Sequence, residues 1–384
     1  MYSSNTLVQL CILLCILFIS IGTVNALTYP DKGDLVPNDK RLYLEIPQSS
    51  DSEISIVSFN VRNLGARSRS IKDFAGLLDL VDEADIIFLQ EVGLGLITKE
   101  TMSASQEKAL NSIAKLIEIN LGEDWTVKLA DGASGVKQGR ETSLVAYRHS
   151  PGGYTLSVDW KEYVDLGSSR DLAEWEITIK REDITKTIAI GSVHLTPKDP
   201  ARGLEMKKMG DWLISKGNKD AIALGDMNWG YAKTSGVDNY MGESYIDSLD
   251  SSGKLYHLFK QLSYLGTGDK TDLRTNMGFR KGPHFYDQFL LSPSLAPNMA
   301  NGGTLLKDCG MIAFGTYDKY TKAKINKIDK NRINGLEKYA KATQLDKTNG
   351  DYKETLAKVK MQSNDAATFY LSDHRPIWMV LSVW

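Results

Sequence analysis

Acidic, amide and imidazole side chains recur in this sequence at the ends of apolar runs. Asn60 lies near the end of one such run, in Ser58-Phe59-Asn60-Val61-Arg62, and Gln90 and Glu91 close Ile86–Leu89. His194 closes Ile188–Val193, Asp226 and Asn228 follow Ile222–Leu224, Asp287 lies early in Phe285–Leu291, and Asp373 and His374 precede the last apolar run. A lone carboxylate at a strand end is ordinarily a cap or a solvated loop residue. Repeated breaks by the same few residue types point instead to one shared sheet edge, where open sheets place their sites. Glu91, with Asn60, Asp373 or Asp226, offers hard oxygen ligands that suit Mg2+, Mn2+ or Ca2+. There is no cysteine cluster and no H-E-x-x-H run to argue for zinc. A divalent ion on a phosphate oxygen neutralises developing charge. His194 and His374 can serve as base and acid near neutral pH, and each needs an acidic partner to orient it. His149, His257 and His284 stand in no such context and are read as surface or structural residues.

The elements that must hold these groups alternate between strands and helices. Ile54–Val61 is a β-branched run with the pattern of a buried strand, and Asp85–Gln90 is a second one. Further strands are expected at Ser143–Tyr147, Glu174–Lys180, Thr187–His194, Ala221–Leu224, Phe285–Leu291 and Ile377–Val383. Helical spacing marks Ser70–Glu83, with Ser70 as N-cap, a segment carrying Leu110, Ile113, Ala114 and Ile117, and Arg202–Ser215. This mixture argues for an α/β or α+β fold with buried sheets.

Composition narrows the class. The 384 residues include 46 Lys and Arg against 48 Asp and Glu, a formal charge of −2, with 42% hydrophobic and 24% charged residues. That excludes a disordered chain and a polytopic membrane protein. It also argues against binding nucleic acid through global charge, so an anionic substrate must meet a local cation. Residues 1–26 contain no charged side chain, are apolar from Leu7 to Val24 and end in Val24-Asn25-Ala26. They read as a secretory signal peptide, with a retained anchor as the alternative. Of the three cysteines only Cys309 lies beyond that segment, so the mature chain has no internal disulfide. Residues 27–53 form a lead segment and 54–384 the main domain. Within it, Thr316–Asn364 carries a net +6 and reads as a helical insertion, either solvated or meeting phosphates or a membrane.

The ordered motifs Ser58-Phe59-Asn60-Val61-Arg62, Leu89-Gln90-Glu91-Val92, Ser192-Val193-His194, Gly225-Asp226-Met227-Asn228, Tyr286-Asp287-Gln288 and Leu371-Ser372-Asp373-His374-Arg375-Pro376 resemble the endonuclease/exonuclease/phosphatase superfamily. The resemblance implies a four-layer α/β sandwich, in which two packed, mostly antiparallel sheets are flanked by helices. It also implies metal-dependent cleavage of phosphate esters. Within the superfamily the pattern is most similar to the secreted deoxyribonuclease I family. By that resemblance Glu141 pairs with His194 and Asp287 with His374. Asn60, Glu91 and Asp373 bind Mg2+, with Mn2+ or Ca2+ as alternatives, and Asp226 and Asn228 orient the phosphate and the attacking water. Arg170 contacts phosphate.

Two positions depart from that family, which carries an Arg and a Tyr for the DNA minor groove where this chain has Gly93 and Gly139. These departures count against DNA as the substrate. The resemblance still implies an endonuclease acting on DNA, which the signal peptide makes secreted or periplasmic, and which is expected to be monomeric and without a stable protein partner. A sphingomyelinase-like or other phosphoesterase with membrane contact stands as the alternative, and a non-catalytic binding protein is a third reading.

Overall fold

The computed structural model describes residues 46, 49–64, 78, 81–94, 96–97, 101–135, 140–197, 200–229, 241–259, 286–295, 309–311, 374 and 376–383. Among these, twelve strands form two six-stranded sheets. The first sheet contains β1 (Glu53–Leu64), β2 (Ile86–Val92), β3 (Trp125–Leu129), β4 (Thr142–Arg148), β11 (Cys309–Met311) and β12 (Ile377–Ser382), in the order β11-β12-β1-β2-β4-β3. The second contains β5 (Thr155–Asp165), β6 (Asp171–Arg181), β7 (Ile184–His194), β8 (Ala221–Asp226), β9 (Tyr256–His257) and β10 (Asp287–Leu291), in the order β5-β6-β7-β8-β10-β9. Each sheet has one parallel pair near its middle, β1 with β2 and β7 with β8, and the remaining pairs are antiparallel.

The period of two along the strands builds three apolar layers. Ile56, Phe88, Trp175, Ile190, Leu224 and Phe289 point into the space between the sheets. The alternate residues Phe59, Leu89 and Trp378 face outward, onto Leu110, Ile113 and Ile117 of α1 (Ala104–Leu121). On the second sheet, Val193 and Ala223 face outward onto Met206, Met209 and Leu213 of α2 (Ala201–Ser215) and onto Ile246 of α3 (Met241–Ser251). The result is helix, sheet, sheet, helix: the expected four-layer sandwich. Helix α1 starts where the sequence allows it. Ser103 accepts from the Gln106 backbone N at 3.4 Å, while Gln106 Oε1 accepts from the Ser103 backbone N at 2.8 Å, a reciprocal cap.

At one end of both sheets the inward rows turn polar. On β1, Ile54 and Ile56 give way to Ser58 and Asn60, and on β7, Ile188 and Ile190 give way to Ser192 and His194. Leu224 is followed inward by Asp226, and Phe289 is preceded by Asp287. Register completes the convergence, because Asp226 lies opposite His194 on one side and Asp287 on the other. Gln90 Nε2 donates to Ser192 Oγ at 3.2 Å and so ties the two sheets together beneath this edge.

The expected strands all form, with shifted ends. Four described strands, β3, β5, β9 and β11, and helix α3 had no counterpart in the sequence reading. The anticipated Ser70–Glu83 helix lies mostly outside the described residues. The N-terminal segment and the Thr316–Asn364 insertion lie outside them as well.

One glycine is indispensable to this edge. Gly225 has φ +135°, and a Cβ there would lie 1.9 Å from the Val193 carbonyl oxygen. Only backbone can move to relieve that clash, between the two strands that carry His194 and Asp226. Gly225→Ala should cost about 3 kcal/mol or more in chemical denaturation, because strain and a backbone clash act together. A loss within ~0.5 kcal/mol would contradict this packing.

Candidate active site

Nine sequence-predicted residues meet at the polar edge: Asn60, Glu91, Glu141, Arg170, His194, Asp226, Asn228, Asp287 and His374. Asp373 lies outside the described residues. Each arrives by a definable local device. Glu91 would face outward if β2 kept its alternation, since Gln90 faces in. A register shift on both sides of β2 and a φ of 60° at Glu91 turn its side chain back to the edge. Asn228 has φ 48° and Arg62 φ 45°. Three of the four described non-glycine residues with positive φ thus lie at this edge, the kind of backbone strain that clusters at sites.

Two imidazoles face one carboxylate. His194 Nδ1 lies 2.9 Å from both Glu141 oxygens, and its Nε2 is 3.7 Å from Asp226 Oδ2 and 3.7 Å from Glu91 Oε1. His374 Nδ1 lies 2.8 Å from Asp287 Oδ2, and its Nε2 is 3.5 Å from the same Asp226 Oδ2. The pairings implied by the resemblance are therefore the contacts present here. Arg170 Nη1 reaches Glu141 Oε1 at 3.2 Å, so the guanidinium backs the carboxylate that orients His194.

The carboxylate edge fits a divalent cation. Glu91, His194 and Asp226 each present a ligand atom, all within 4.8 Å of one another, and so do Asp226, Asp287 and His374. Asp226 is buried, and its pKa is raised by that burial and by Asp287, against the pull of the two imidazoles. A positive ion beside it would compensate the buried charge. Asn60 meets both acids of this edge through its amide. Its Nδ2 donates to Asp226 Oδ2 at 2.9 Å and to Glu91 Oε1 at 3.1 Å, and its Oδ1 accepts from the Arg62 backbone N at 2.9 Å. Turning the amide by 180° would offer Oδ1 to a cation and set Nδ2 against the Arg62 N–H.

Asn228 also points away from a direct phosphate contact. Its backbone N donates to Asp226 Oδ1 at 2.9 Å, and its Nδ2 donates to the Leu195 carbonyl at 2.7 Å. Gly93, where the nuclease family carries an Arg, is buried at φ +76°, and a Cβ there would lie about 3 Å from the Leu110 and Ile97 side chains. A side chain at this position would crowd both and strain the backbone. His257 is buried against Trp229 and bonds Gln288 Oε1 through Nε2 at 2.8 Å, while His149 is exposed, as expected of structural and surface histidines. His284 lies outside the described residues.

Sequence reasoning missed two charged residues behind the site, Arg202 and Glu205, both fully buried on α2. A signal was present: they sit three apart on a helix whose apolar face also carries Met206, Met209 and Leu213.

The fold and the edge define a two-sheet α/β sandwich with paired histidine–carboxylate groups around a shared acid. No family model matches the sequence, and no curated protein matches it. Solved structures are similar in architecture. A humanised Danio rerio TDP2 carrying 14 mutations is 13% identical at TM-score 0.43, over 86% of this chain and 98% of that one. An endonuclease/exonuclease/phosphatase family protein from Bacteroides thetaiotaomicron is 15% identical at TM-score 0.38, over 63% and 84%. The mannosyl-6-phosphatase of the same organism is 15% identical at TM-score 0.39, over 63% and 86%. The functional reading below rests on the geometry of the edge itself.

Burial by itself would lower the His194 pKa. The Glu141 carboxylate outweighs it, Glu91 adds to the effect, Arg170 opposes it, and the net result is a rise from 6.5 to about 9. The folded protein therefore holds this proton more tightly than the unfolded chain. The stability it contributes is complete below pH 6.5 and is lost as pH rises through about 9. In metal-free buffer the Tm of the wild-type protein should fall across that window more steeply than that of His194→Gln. Parallel Tm curves for the two proteins would contradict the ion pair.

Proposed function

We propose that this chain is a divalent-metal-dependent phosphodiester hydrolase of the deoxyribonuclease I type, exported from the cell and acting on DNA. One observation carries the reading: two imidazoles, each bound through Nδ1 to a buried carboxylate, turn their Nε2 atoms to within 3.7 Å and 3.5 Å of the same Asp226 oxygen. Hydrolysis of a diester needs one proton taken from water and another delivered to the leaving oxygen. Two histidines on opposite sides of one acid meet that need when one starts neutral and the other charged. Glu141 and Asp287 fix which ring nitrogen faces the cleft. Asp226 accepts hydrogen bonds at both oxygens, so it is placed to orient the water that a neutral imidazole deprotonates. Arg170, already beside Glu141, is the cation available to a phosphate oxygen. Glu91 and Asp226, with Asp373 by resemblance, would hold the divalent ion. When bound, that ion supplies charge neutralisation at the phosphate. The apolar, uncharged residues 1–26 support export.

A second reading, hydrolysis of a phospholipid or another phosphoester, is favoured by one observation. Gly93 is turned inward where the nuclease family sends an Arg into the minor groove. Purified protein should be given supercoiled plasmid, RNA, sphingomyelin vesicles and bis(p-nitrophenyl) phosphate, each with Mg2+ and with EDTA. Turnover of plasmid supports the first reading, and turnover of sphingomyelin alone supports the second. EDTA should abolish turnover and Mg2+ or Mn2+ should restore it, and Glu91→Gln should lower kcat about 10²-fold or more. Full activity in EDTA would remove the metal from the mechanism.

The two histidines give a separate expectation. His194→Ala and His374→Ala should each lower kcat by about 10²–10⁴-fold. The double variant should lose far less than the product, because groups acting as a unit are not additive. Wild-type kcat in both single variants would overturn the acid–base pair.

A further inference from the structure

The turn that presents Arg170 and the chain just past His194, at the end of β7, are both fastened to one buried carboxylate that contacts none of the reacting groups. Glu205, the fifth residue of α2, is fully buried. Its Oε1 accepts from the Ser169 backbone N at 3.1 Å, from Ser169 Oγ at 3.3 Å and from the Arg170 backbone N at 3.1 Å. Its Oε2 accepts from the Thr196 backbone N at 2.7 Å. One oxygen thus holds the β5–β6 turn that presents Arg170, and the other holds the chain two residues past His194. Between these anchors, Arg170 meets Glu141 and Glu141 meets His194. Arg202, one turn earlier on the same face, donates from Nη1 to the Asn228 carbonyl at 3.1 Å and pairs with Glu243 of α3 at 3.2 Å. It steadies the residue whose φ of 48° needs outside support.

We propose that Glu205 is a positioning residue for proton transfer, setting the distance between the Arg170–Glu141 pair and His194 by bridging the β5–β6 turn that presents Arg170 and the chain just past His194. The inference rests on the hydrolase reading above for its consequence and on the hydrogen bonds alone for its geometry. Apart from the Ser168 and Ser169 hydroxyls, the donors to this side chain are backbone N–H groups, which only an acceptor oxygen can meet. Glutamine has the same shape but replaces one acceptor oxygen with an NH2 group. Whichever way that amide turns, an N–H group then faces the N–H of Thr196 or those of Ser169 and Arg170, and one loop is released. Displacing a reacting group by about 1 Å can cost ~10²-fold in rate.

The test pairs Glu205→Gln with His194→Ala in the full-length protein, assayed with Mg2+ and bis(p-nitrophenyl) phosphate or whichever phosphoester turns over fastest. Alone, Glu205→Gln should lower kcat about 10- to 100-fold with KM changed by less than ~2-fold. In the His194→Ala background it should cost less than ~2-fold, because the group it positions is gone. Equal losses in both backgrounds, or no loss at all, would overturn the proposal. His194→Ala retaining wild-type kcat would instead strike at the hydrolase reading. The geometric claim then stands or falls on hydrogen exchange, where peptides covering 166–171 or 193–197 should lose protection in Glu205→Gln. If Glu205→Gln does not fold, Ser169→Ala removes one bond to the same carboxylate. It should lower kcat severalfold in the wild-type background and leave kcat unchanged in His194→Ala.

Discussion

Removing a carboxylate from water costs several kcal/mol unless donors or cations meet it, and Asp226, at 2% exposure, imposes that demand on everything around it. Its oxygens are met by the Asn60 amide, by the Asn228 backbone N–H and by the Nε2 edges of His194 and His374. Those four partners come from both sheets and from chain positions 60 to 374. The positive φ at Asn228 follows from the need to bring its own N–H back onto Asp226 Oδ1. The close approach at Gly225 follows from the need to set β8 beside β7 without a side chain between them. The inward-facing rows of the sheets are apolar wherever the sheets can touch, and they become polar where this acid has to be satisfied.

The same acid explains why the site gathers pairs rather than single groups. An imidazole beside a buried carboxylate is drawn toward its charged form. Behind His194 a second carboxylate, Glu141, strengthens that pull, and Glu141 and Asp287 each hold the Nδ1 of their ring. Arg170 then keeps Glu141 ionised: burial raises that carboxyl's pKa, and Arg170 followed by His194 brings it below the ordinary value. The outcome is a line in which basic and acidic side chains alternate: Arg170, Glu141, His194, Asp226, His374 and Asp287.

Much of this was legible in the sequence because strand ends carry a simple signal. An apolar run such as Ile188–Val193 that stops at a histidine identifies both a buried strand and its functional edge. The same reasoning could not recover β5, Thr155–Asp165, where Asp159, Lys161 and Glu162 interrupt the alternation on an edge strand. Nor could it recover β3, where Trp125 alone of five residues is buried. It could not anticipate the direction in which Glu91 points, since a bulge and a left-handed backbone reverse what alternation predicts. Nor could it anticipate the direction of the Asn60 amide, which depends on the Arg62 N–H that only the folded turn supplies. Glu205 escaped notice because a charged residue on a Lys-rich helix reads as solvated until the loops it anchors are in place.

The pairing of β1 with both β2 and β12 has a consequence for timing. β1 begins at residue 53 and finds its antiparallel neighbour only at residues 377–382, directly after His374. A growing chain can pair β1 with β2, and β7 with β8, long before His374 is synthesised. Until then it holds an acid flanked by one imidazole rather than two. An interrupted chain can therefore build both parallel strand pairs and still lack the second imidazole beside Asp226.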